Sequence, residues 1–255
     1  MQESMIGSWA QESRLTGEIH LSLRNLNHQF LDLMSARDRV RTHDWIDPQP
    51  RAAAEEIAEY LAPLSARQRS LAADCPYALF DLRFQDSAHW SRRLKVADIC
   101  ASAEECSMSA ETVNFARLAL FFAWHVTTRT PLNARLVLGM SETTVDAFRA
   151  LTVNGLVALA ATESCQLTAR WSASQGYWRA LLGGALHQEG PALRRAQLFG
   201  LQLAAAAQLP PGFREGDSHC GRSPLKFTLR GCDASPSPTP TYKNLQKRRQ
   251  SVKRH

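Results

Sequence analysis

Signatures of known chemistry are what this chain lacks. Its 255 residues contain no glycine-rich phosphate loop, no Gly-x-Ser-x-Gly elbow and no His-Glu-x-x-His pair. The short motifs of nucleotide binding, ester hydrolysis and zinc hydrolysis are therefore missing. The six cysteines are Cys75, Cys100, Cys106, Cys165, Cys220 and Cys232, and the closest two stand six apart. Structural zinc sites pair their ligands two to four residues apart, and disulfide frameworks belong to small secreted chains. We expect reduced thiols, no metal and no cofactor. Long apolar runs are also absent. Leu118 to Val126 is the longest, it is broken by His125, and a bilayer crossing needs roughly 20 residues. The opening MQESMIGSWAQESRL puts Glu and Gln where a signal peptide is apolar. No membrane contact and a cytoplasmic location are the expectation. No internal repeat of solenoid period is visible.

Charge is short in the body as well. The formal net charge is +6, but Lys243, Lys247, Arg248, Arg249, Lys253 and Arg254 lie in the last fifteen residues with no acid among them. Removing those six from the 30 basic residues leaves 24, against 24 acidic ones. A basic isoelectric point usually points to nucleic acid, yet here the whole excess sits at the end of the chain. Catalytic groups are equally thin. The eight histidines are scattered, and the carboxylates fall mostly on helix faces. His125 has no partner at metal spacing and reads as an interior histidine. Asp81 and Arg83 within an aromatic run suggest a buried structural ion pair. No catalytic residue is nominated, and the chain is not expected to be an enzyme.

What the chain does contain is helical periodicity. Residues 1–14 are polar and expected to fray. Ile19, Leu23, Leu26, Phe30 and Leu33 then recur on one face, with Arg24, Asn27, Gln29 and Asp32 elsewhere. Asp47-Pro-Gln-Pro interrupts, and a second helix is predicted over 51–61. Ser65 caps a third through Ala73. Residues 75–84 read as a short strand or a buried turn. Asp86 caps a helix carrying Trp90, Leu94 and Ile99, and 100–108 is a loop between two halves. Ser109 caps the next helix, which is apolar nearly all round and ends before Pro131. Two more helices follow at 176–187 and 191–208. From Pro210 the composition turns to Pro, Ser, Thr, Gly and basic residues, with too little apolar surface to order itself.

Between those long helices lies the most informative stretch, Asn133 to Leu182. Asn133–Leu138 is helical, Gly139 can end it left-handed, and Ser141 can cap a second short helix with Val145 and Phe148 inward. A helix-turn-helix unit requires that order. A plain helical hairpin meets it equally. Glu142, Thr143, Thr144, Asp146 and Arg149 would face outward. Thr and Arg can hold phosphates or bases, whereas the two acids repel them.

The order Leu138-Gly139-Met140-Ser141-Glu142, Ala150-Leu151-Thr152, Leu156-Val157-Ala158-Leu159-Ala160, Thr162, Gln166-Leu167 and Arg170 resembles the flagellar transcriptional activator FlhD. The resemblance covers about fifty residues, a fifth of the chain. It implies a largely helical protein that activates transcription together with an FlhC-like partner subunit. It also places the turn and capped helix near the functional surface, with Arg170 matching the family's strand arginine. Where that family has arginine directly before Leu-Gly this chain has Val137, and the nearest basic residue is Arg135.

The expectations are then a mainly α protein: a multi-helix bundle with a helix-turn-helix-like hairpin, at most one or two short strands, and a disordered C-terminal tail. Residues 1–108 form an N-terminal helical region, 109–209 a C-terminal one, and 210–255 the basic tail. The expected function is bacterial transcriptional regulation in a multi-subunit DNA-binding complex, with an FlhC-like partner or self-association, and DNA. The candidate DNA-contacting residues are Arg135, Ser141, Thr143, Thr144, Arg149 and Arg170. Lys247, Arg248, Arg249, Lys253 and Arg254 would hold nucleic acid without sequence preference. The alternative is a helical adaptor that binds proteins and never touches DNA.

Overall fold

A computed structural model describes residues 2–37, 48–97 and 108–209. All but the last residue of the expected loop at 100–108, the contribution of Ile99, Cys100, Cys106, Cys220 and Cys232, and the whole tail with its cations lie outside those residues. The described chain is mainly helical with two short strands. In order it runs α1 (Gln2–Arg37), α2 (Pro48–Leu61), α3 (Ala66–Ala73), β1 (Phe80–Asp81), α4 (Ser87–Ala97), α5 (Ala110–Arg129), α6 (Pro131–Leu138), α7 (Glu142–Arg149), α8 (Val153–Glu163), β2 (Thr168–Ala169), α9 (Gln175–Leu186) and α10 (Gly190–Ala207).

Local chemistry explains most boundaries. Ser65 accepts the Gln68 amide while Gln68 reaches back to the Ser65 amide, a reciprocal cap on α3. Asp86 Oδ1 accepts the His89 amide at 2.9 Å and starts α4. Ser109 does the same for α5 through the Thr112 amide. Two expectations need correcting. Helix α1 begins at Gln2 instead of fraying through residue 14, since Glu, Gln, Met, Ala and Arg there all tolerate helix and no proline intervenes. Helix α2 begins at Pro48, ahead of the predicted start. Proline lacks the amide that a first helical turn leaves unpaired anyway, so it opens this helix instead of blocking it.

One hydrophobic core gathers side chains from both helical regions. Phe30 of α1, Phe80 of β1 and Phe115 of α5 meet there, with Phe80 and Phe115 edge to face at 5.2 Å. Helix α5 packs against α1, α6, α7 and α8, while α9 packs against α2, α3 and α10. The two strands pair antiparallel, Phe80 opposite Ala169 and Asp81 opposite Thr168, which settles the 75–84 ambiguity in favour of a two-residue strand.

Three side chains sit otherwise than the periodicity implies. Asn27 was assigned to the polar side of α1 but is fully buried. Its amide nitrogen donates to the carbonyls of Ala73 and Tyr77, and its oxygen accepts the Leu79 amide. At about 1 kcal/mol per bond it staples α1 to the loop entering β1. His125, read as interior, is exposed, because its neighbours Ala123, Val126 and Thr127 take the inward positions. Arg83 does not pair with Asp81. It stands at φ 56°, exposed, and its guanidinium meets Asp86 at 2.7 Å, while Asp81 Oδ1 accepts the Phe84 amide.

Candidate functional site

The hairpin forms as its sequence dictates. Proline opens α6, and Gly139 closes it left-handed at φ 76° and ψ 23°. Ser141 turns to extended backbone, its Oγ accepts the Thr144 amide at 3.1 Å, and α7 starts. Val145 and Phe148 are buried, Phe148 against Phe84 and Trp90 with centroids 6.0 and 4.7 Å away. The Ser141 amide donates to the Phe84 carbonyl, so the turn is also tied to the loop after β1.

Arg170 holds the turn from beneath. It follows β2, its Nη1 donates to the Val137 carbonyl at 2.7 Å, and its backbone amide donates to Leu79. Its guanidinium lies 4.4 Å from the Trp171 ring centroid, and its carbonyl accepts the Trp178 indole N–H at 3.0 Å. Burial lowers the guanidinium to about 10, opposed by the nearby Asp81 carboxylate. The group therefore stays cationic at neutral pH. Burial in turn raises Asp81, with the Phe84 amide and Arg170 pulling the other way. A Cβ at Gly139 would run into the Arg170 guanidinium. Gly139→Ala is therefore expected to lose about 2 kcal/mol, from left-handed strain and from displacing that guanidinium. A urea titration reads the loss. An unchanged midpoint would mean that the turn tolerates a side chain and that Arg170 does not lock it.

The nominated residues divide three ways. Thr143 and Arg149 are exposed on α7 as expected. Thr144, expected outward, is buried at 1 % exposure. It points along the same side as Val145 and Phe148, with its hydroxyl 2.7 Å from Ser141 Oγ. Arg170, placed with the contacting residues, is only 6 % exposed and is spent on the fold. Ser141 serves as a cap. Arg135 is half-buried: its Nε donates to Gln208 Oε1, its carbonyl accepts from Gln208 Nε2, and Nη1 stands 3.9 Å from Glu142. It ties α6 to the end of α10. The outward side of α7 thus carries Glu142, Thr143, Asp146 and Arg149, two carboxylates to one guanidinium.

Sequence reading missed two neighbours of this surface. Helix α4 packs on α7 through Trp90 and exposes Arg92, a cation beside the hairpin that periodicity of α7 alone does not reveal. Behind it, Glu163 of α8 is fully buried. Its Oε2 meets His89 Nε2 at 2.7 Å, and Arg93 Nε faces Oε1 at 2.9 Å, off the line of a directed hydrogen bond. Only an acid directly after Thr162 at the end of an apolar helix hinted at it. With the carboxylate enclosed, this trio clamps α4 to α8.

Elsewhere, Cys75 is buried and its thiol is pushed up to about 12 by that burial, which leaves it unreactive. Among the described residues no group of three His, Cys, Asp or Glu is arranged to hold a metal ion, and no helix is long and apolar enough to cross a membrane. No protein-family model, curated protein or solved structure matches the chain.

Proposed function

We propose that the protein is a bacterial transcription regulator of the flagellar-activator type, a non-enzymatic subunit that works with a second, FlhC-like protein on DNA. The supporting observation is the hairpin itself: a left-handed glycine, a capped second helix, and Thr143 and Arg149 exposed on it. Arg92 on the adjacent α4 adds a second cation able to reach phosphate. The tail residues Lys247, Arg248, Arg249, Lys253 and Arg254 add sequence-independent attraction.

A protein-binding adaptor is the second reading, and one observation favours it. Much of what carries the resemblance is spent inside: Leu138, Met140, Leu156, Leu159, Leu167 and Arg170 are buried, while Glu142, Thr152 and Val157 stay exposed. The buried ones speak for the shape of the unit more than for its outer chemistry, and Glu142 and Asp146 repel a phosphate backbone.

Duplex binding by the full chain separates the two. With the five tail cations changed to glutamine, the salt dependence of binding should flatten by up to about 4.5 in log–log slope. Under the regulator reading, sequence-dependent binding survives that change, and Arg149→Ala then weakens it by about ten-fold. Under the adaptor reading nothing survives, and the tail accounts for all affinity.

A further inference from the structure

We draw no further inference here: the strongest candidate, the apolar groove between α1 and α5 lined by Leu26, Leu118, Phe121, Phe122 and Trp124, carries nothing, because nothing in the structure shows what covers it.

Discussion

Arg170→Met is expected to lower the unfolding free energy by about 3 kcal/mol, seen as a lower urea midpoint with an unchanged slope. The charge-assisted bond to the Val137 carbonyl is worth roughly 2 kcal/mol, and the contact with the Trp171 ring about 1 kcal/mol more. Methionine restores apolar volume but neither of these. The Val137 carbonyl is not orphaned, because it also accepts the Ala78 amide at 2.8 Å, and this keeps the loss below the largest values known for buried charges. Asp81 supplies a control. It loses its nearby cation in Arg170→Met, so the cost should shrink when Asp81→Asn is made first. Equal costs in both backgrounds would show that the two charges are not coupled. The same variant decides what Arg170 does. Full stability with reduced duplex binding would return it to the DNA-contacting set and contradict its buried position.

Gly200→Ala should be about as damaging, although alanine is the better helix former by about 1 kcal/mol. The position is inward on α10, and an added Cβ would overlap the hydroxyl and ring of Tyr77. That ring cannot retreat. It is wholly buried, its hydroxyl donates to the Gln197 carbonyl and accepts from Tyr177, and its edge rests on Trp171 with centroids 5.2 Å apart. Overpacking at about 3 kcal/mol, plus one or two lost hydrogen bonds near 1 kcal/mol each, exceeds the propensity gain. A net loss of about 3 kcal/mol in thermal or urea unfolding is the expected result. Tyr77→Phe should rescue only part of it, because ring carbon as well as hydroxyl stands in the way. A Gly200→Ala protein more stable than the wild type would place propensity above packing here and would mean that α10 sits further out.

Much of the secondary structure was legible because it depends on neighbours in sequence. Ser65, Asp86, Ser109 and Ser141 cap helices where their hydroxyls and carboxylate said they would, and Gly139 takes the left-handed turn. The face of α1 from Ile19 to Phe30 and the inward positions Val145 and Phe148 followed from period alone. The candidate site was legible only in outline. Its turn and second helix could be drawn, but not which of their polar residues remain available.

That division has a physical cause. Capping, periodicity and backbone dihedrals are settled within a few residues, so the amino-acid order by itself determined a mainly helical chain with a glycine-ended, serine-capped hairpin. Whether a polar side chain faces water is settled by what packs over it from elsewhere. Asn27 is buried because the loop at Ala73 to Leu79 closes over α1, Thr144 because α7 lies flat on the core, and Arg170 because β2 carries it under Val137. Only the tertiary structure could spend those residues on the fold, and only it left Thr143 and Arg149 facing outward.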